Sequence, residues 1–159
     1  MGKYVKNERW ISCTDEGSLL LVSKSCKIEK RVENAHPTAI ICIRWNSDTQ
    51  AITTCGEDGL TKIWLKQGVL KFKLVENPSP VHSLAWIPDE NTRYINEGKI
   101  WQLNPYLKVL IRALSWKVNE DLVFYVDWNF SNKLIISQGE DKKYKIWEQL
   151  GRNLFVSLI

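Results

Sequence analysis

The chain has 159 residues, 44% apolar and 11% aromatic, which is enough for a packed core and too hydrophobic for a disordered segment. Its formal charge of +4 comes from 22 basic and 18 acidic residues spread along the sequence. The basic groups are small (Lys27, Lys30, Arg31 and Lys142, Lys143, Lys145), which argues against a dedicated nucleic-acid binder.

Residues 1–9 carry Lys3, Lys6 and Arg9 but no apolar run, so no secretory signal is expected, and no stretch nears the roughly 20 apolar residues of a membrane span. Residues 10–34 predict strands from Trp10 to Thr14, Ser18 to Val22 and Lys27 to Val32, with a turn at Asp15-Glu16-Gly17. The first strand of that unit is missing or is replaced by residues 1–9. Residues 35–77 predict four strands: Ala39 to Trp45, Gln50 to Cys55, Leu60 to Leu65 and Val69 to Val75. Turns at Asn46-Ser47-Asp48, Gly56-Glu57-Asp58-Gly59 and Gln67-Gly68 divide them. Residues 78–118 open with Val81 to Trp86, but Gly98 is followed by Trp101 after only three positions, so the next hairpin has lost about four residues and Asn104 to Asn119 reads as irregular. Residues 119–159 repeat the second unit, with strands over Leu122 to Trp128, Lys133 to Ser137, Lys143 to Trp147 and Asn153 to Leu158.

The internal echo is quantitative. Gly56 lies eleven positions after Trp45 and eight before Trp64, and Gly139 stands in the same relation to Trp128 and Trp147. Trp86 falls 41 positions after Trp45 and 42 before Trp128. A period of about 42 with a closing Trp in each unit is the mark of WD40 propeller blades. The expectation is an all-β fold, a partial WD40 β-propeller of about three to four four-stranded antiparallel blades over residues 10–159. Closed rings need about four to eight blades, so the ring is not expected to close within the chain. Uncovered end faces then predict poor solubility alone, with rescue by a partner that supplies further blades. Trp45, Trp64, Trp86, Trp128 and Trp147 follow the repeat rather than cluster, as core residues do.

Candidates for chemistry are few. Cys13, Cys26, Cys42 and Cys55 form no Cys-x-x-Cys pair and have only His36 and His82 beside them, so no metal site is expected. Cys42 and Cys55 read as small buried hydrophobes of a reducing compartment. His36 with Cys42 or Asp58 is the sole candidate nucleophile-base pairing. No catalytic motif surrounds it, and catalytic and cofactor-binding residues are expected to be none. Glu57-Asp58 and Glu140-Asp141 lack the alternating oxygen ligands of a calcium loop and read as tight hairpins. The resemblance to WD40 repeats implies a structural brace within a blade. In the second unit it falls on His36, Thr54, Asp58 and Trp64; in the fourth it falls on Ser137, Asp141 and Trp147, with Asn119 where the His would stand. The first unit has Ser12, with Glu16 and Val22 at the Asp and Trp places.

Several strings resemble one WD40 family in particular. They are Thr14 to Val22, Arg44-Trp45-Asn46, Gly56 to Trp64, Val81 to Trp86, Val126 to Asn129 and Gly139 to Trp147. In order and separation they are similar to the middle of the first propeller of the intraflagellar transport protein 80 family, over about Trp10 to Phe155. The resemblance implies a non-enzymatic scaffold of intraflagellar transport complex B in cytoplasm and cilium. Its partners would be other protein subunits; neither nucleic acid nor membrane insertion is implied. A generic WD40 adaptor of the coat or ubiquitin-ligase type, or a truncated non-functional fragment, is the alternative.

Overall fold

The computed structural model of the chain describes residues 3–4, 9–46, 49–73, 79–86, 93–96, 99–104, 109–115, 123–129, 134–149 and 155–157. Among them are four antiparallel sheets of four strands and no helix. The chain divides into two compact units, Met1–Val81 and His82–Ile159, each holding two sheets.

In the first unit, the first sheet is built from Lys3–Tyr4 (β1), Arg9–Cys13 (β2), Leu19–Ser23 (β3) and Ile28–Val32 (β4). Residues 1–9 thus supply its opening strand, through Lys3↔Ile11 and Tyr4↔Trp10. The second sheet contains Ile40–Trp45 (β5), Ala51–Gly56 (β6), Thr61–Leu65 (β7) and Leu70–Lys73 (β8). Period-2 alternation sends Ile11, Leu19 and Leu21 from the first sheet and Ile43, Ile52 and Trp64 from the second into one shared core. Each such side chain, fully buried, contributes about 1.5–3 kcal/mol.

The hairpin between second and third strands is nearly the same object each time it recurs. Five residues separate Cys13 from its partner Leu19, Cys55 from Thr61 and Gln138 from Tyr144. A backbone bond closes each turn: Gly17 N to Thr14 O, Gly59 N to Gly56 O, and Lys142 N to Gly139 O, all 3.2 Å. The donor residue has positive φ in all three, 78° at Gly17, 70° at Gly59 and 59° at Lys142. Glycine suits this conformation because no Cβ meets the backbone there. The hairpins also tie the chain to the stretch that follows. Thr14 O accepts from Ile40 N at 3.4 Å, and 42 positions on, Gly56 O accepts from Val81 N at 3.1 Å.

The second unit holds a third sheet of Leu84–Trp86 (β9), Arg93–Asn96 (β10), Lys99–Asn104 (β11) and Val109–Ser115 (β12). Its middle hairpin is shorter than the others, with two residues between the partners Asn96 and Lys99 where the other sheets have five. That is a loss of three positions, against the four expected. Val109–Ser115, read from the sequence as irregular, is a regular strand that crosses a register shift at Ile100/Trp101. Trp116 and Asn119 lie outside the described residues. The fourth sheet has Val123–Asn129 (β13), Leu134–Gly139 (β14), Tyr144–Gln149 (β15) and Phe155–Ser157 (β16). Ser83, just before β9, joins the two sheets: its hydroxyl donates to Val126 O at 3.3 Å and accepts from Val126 N at 3.1 Å.

Among the described residues, the buried polar atoms Trp45 Nε1 and Thr53 Oγ1 find no hydrogen-bond partner. Thr53 is fully buried, and its hydroxyl has no hydrogen-bond partner among the described residues. Ile136 takes the equivalent place in the fourth sheet. A buried hydroxyl without a partner is costly, whereas valine keeps the shape of threonine and removes the polar atom. Thr53→Val is therefore expected to raise the unfolding free energy by about 1 kcal/mol, read as a higher urea midpoint at unchanged slope.

Candidate functional site

The densest polar cluster lies inside the second sheet. His36, in the turn before β5, is fully buried, and the Asp58 side chain is 6% exposed in the β6–β7 hairpin. His36 Nδ1 lies 2.8 Å from Asp58 Oδ2 and 3.0 Å from Oδ1, and Nε2 lies 2.7 Å from Thr54 Oγ1 on β6. Trp64 on β7 donates its indole Nε1–H to the same Thr54 oxygen at 2.9 Å. Thr54 therefore accepts from the indole and donates to the imidazole, and the imidazole donates onward to the carboxylate. All four side chains named for the second unit are brought together.

That direction of donation requires a neutral imidazole. Burial holds the His36 pKa below its ordinary 6.5, and it outweighs the upward pull of the Asp58 hydrogen bond and charge; the Lys62 charge lowers it further. With the folded pKa below the unfolded one, the unfolded chain binds more protons in the window between them, so stability rises with pH there. The stabilisation is complete above about pH 6.5 and is lost as pH falls through the folded value. The urea midpoint should thus drop between pH 7.5 and 5.5, and the drop should be smaller in His36→Ala. An equal slope in both proteins would remove His36 as its cause.

Asp58 has a second task. Its Oδ1 accepts from Leu60 N at 3.0 Å, closing the hairpin locally, and Asp141 Oδ1 accepts from Lys143 N at 3.1 Å in the fourth sheet. There, too, Trp147 donates its indole Nε1–H to Ser137 Oγ, at 3.1 Å. The fourth sheet thus has the hairpin carboxylate and the indole-hydroxyl link at the same positions as the second.

Two participants carried no sequence signal. Lys62, between Thr61 and Ile63 on β7, is 9% exposed and donates its ammonium to Ala35 O. Burial holds its pKa below the ordinary lysine value, against the opposing pull of Asp58. A lysine in a strand reads as solvent-facing, and only its place opposite Thr54 on the buried row would have exposed it. Ser83 is the second. Asn46, the first residue of an expected turn, caps the end of β5, its side-chain Oδ1 accepting from Ala51 N at 2.9 Å.

Chemically the cluster has the connectivity of an Asp-His-hydroxyl triad. Thr54 Oγ1, however, is fully buried and already holds two partners, so no substrate atom can reach it. Cys42, also buried, stands across from Cys55 on β6. Among the described residues no group of three or more His, Cys, Asp or Glu is placed to hold a metal ion.

The sequence profile of the WD domain, G-beta repeat, matches residues 27–64, the stretch that contains this cluster. Those residues carry a WD40 repeat. The chain is 40% identical over 155 residues to the intraflagellar transport protein 80 homolog of Mus musculus and equally to that of Rattus norvegicus; 98% of the chain is aligned in each case. The resemblance drawn from the repeat strings therefore extends over nearly the whole chain. The chain spans about a fifth of the length of these curated relatives, 20% of each. Among solved structures it matches a chain of the Mitotic Checkpoint Complex with a TM-score of 0.80 at 16% identity, covering 100% of this chain and 50% of that one. At that identity the match shows the fold alone.

Proposed function

We propose that the chain is a non-enzymatic WD40 scaffold that holds other protein subunits in intraflagellar transport complex B, in the cytoplasm and the cilium. The observation that carries this reading is the 40% identity over 98% of the chain to intraflagellar transport protein 80 homologs. The sealed His36–Asp58–Thr54–Trp64 cluster agrees with it, since the residues most like a catalytic set are spent on holding a sheet together. WD40 folds act through faces and loops that the sheets hold rigid, so partner choice belongs to the surface rather than to the repeat residues. Proximity labelling from the tagged chain in ciliated cells tests the proposal. Enrichment of complex B subunits is expected. Diffuse cytosolic signal with coat or ubiquitin-ligase subunits labelled instead would overturn it in favour of a generic adaptor.

A further inference from the structure

Three of the four cysteines gather around β5. Cys13, half-buried at the end of β2, donates its thiol to Ile40 O at 3.5 Å. Burial pushes that thiol above its ordinary pKa, against the pull of the chain's amino terminus, and the neighbouring Cys42 raises it further. Cys13 therefore keeps its proton, engaged with a backbone carbonyl.

Cys42 and Cys55 stand in a different relation. They are cross-strand partners in the antiparallel pair β5–β6, and both are buried thiols, Cys42 at 6% and Cys55 at 0% exposure. Such partners project to the same side of a sheet, with Cα atoms about 4.5–5.5 Å apart. A disulfide spans about 4.4–6.8 Å between its Cα atoms. The register alone thus brings the two thiols within bonding reach. The repeat does not demand this pair, since the equivalent partners in the fourth sheet are Tyr125 and Gln138.

A way in for a small molecule lies next to Cys42. The register shift between Ile40 and Cys42 leaves Ile41 as an extra residue, 38% exposed, and a bulge of this kind interrupts the ladder beside it. β5 is also the outermost strand of its sheet, paired with β6 on one side only. Local opening at the bulge uncovers Cys42 while Cys55, on a strand paired on both sides, stays in place.

We propose that Cys42 and Cys55 form a peroxide-responsive thiol pair that closes reversibly into a cross-strand disulfide. The Cys42 thiolate attacks one oxygen of hydrogen peroxide; the O–O bond breaks, and hydroxide leaves and takes up the Cys42 proton as water, giving a sulfenic acid. The Cys55 thiolate then attacks that sulfur, the S–O bond breaks, and the departing hydroxide takes up the Cys55 proton as a second water. Two thiols lose two electrons and two protons, and peroxide gains them. The bond ties the strand that carries Ile40 and Ile43 of the shared core to the middle of its sheet.

Peptide mapping of the full 159-residue chain tests this, in a Cys26→Ser background that removes the exposed thiol of Cys26. After hydrogen peroxide at neutral pH and an acid quench, remaining thiols are blocked with N-ethylmaleimide in denaturant, and trypsin cuts between the pair at Arg44. A Cys42–Cys55 linked peptide is expected, with Cys13 still alkylated, and dithiothreitol should restore both thiols. Amide exchange across β5 should slow in the oxidised chain, and Cys42→Ser should remove the link and leave Cys55 alkylated. Cys42 and Cys55 both fully alkylated after peroxide, a link from Cys42 to Cys13 instead, or Cys42 carried on to sulfinic acid with Cys55 free would each overturn the proposal.

Discussion

His36→Ala should lower the unfolding free energy of the first unit by about 3–5 kcal/mol, the combined cost of leaving a buried carboxylate and a buried hydroxyl each short of a partner and of the cavity left behind. The substitution leaves the Asp58 carboxylate with 6% of its side chain exposed and without its imidazole donor, and it leaves the Thr54 hydroxyl without its acceptor. It also opens a hole in a fully buried position. Asp58 keeps the Leu60 backbone amide, so the hairpin itself survives. Ser137→Ala in the fourth sheet provides the contrast. There the Trp147 indole loses a hydroxyl acceptor, and the expected cost is about 1–2 kcal/mol. Urea titration followed by tryptophan fluorescence measures both. A loss under about 1 kcal/mol for His36→Ala would show that the cluster is incidental to stability.

Gly17→Ala is expected to cost about 2–4 kcal/mol, although it adds one methyl group to a surface hairpin. Two independent penalties combine. At φ 78° any side chain is strained, and a Cβ built on Gly17 would lie 2.1 Å from the His36 carbonyl oxygen and 2.6 Å from that of Thr38. Both neighbours are backbone atoms, so no rotamer change relieves the overlap. The displacement falls on the bond from His36 N to Gly17 O, 3.0 Å, which ties the first hairpin to the turn carrying the brace histidine. The effect should reach the Trp64 environment as well as the first sheet. Gly17→Ala with an unchanged urea midpoint would mean that the hairpin and the turn are not in contact in solution.

What could be read from the sequence was whatever is local and fixed in spacing. A hairpin of five residues followed by an indole on the next strand leaves the same intervals each time, so Gly56 to Trp64 and Gly139 to Trp147 were recognisable without any knowledge of packing. His36, Thr54, Asp58 and Trp64 were named through the family pattern, and they lie within hydrogen-bonding distance of one another. Long-range pairings left less trace. Lys3–Tyr4 is a two-residue strand with no alternation to detect, and it becomes a strand because β2 offers it an edge. Val109–Ser115 was obscured because the shortened hairpin before it shifts the register by which the other units were aligned. Ser83 bonds to a residue 43 positions away, and Lys62 is buried by its neighbours rather than by its own character.

The central claim is that an internal repeat builds like sheets, the second and fourth each pinned by an indole donating to a hydroxyl, with the second further locked by His36 and Asp58. Amide and indole hydrogen exchange by NMR tests it most directly. The Trp64 and Trp147 indole protons should both exchange slowly, Trp64 the slower of the two, and Thr54→Val should speed Trp64 while leaving Trp147 unchanged. A Trp64 indole proton that exchanges as fast as that of an exposed tryptophan would contradict the claim.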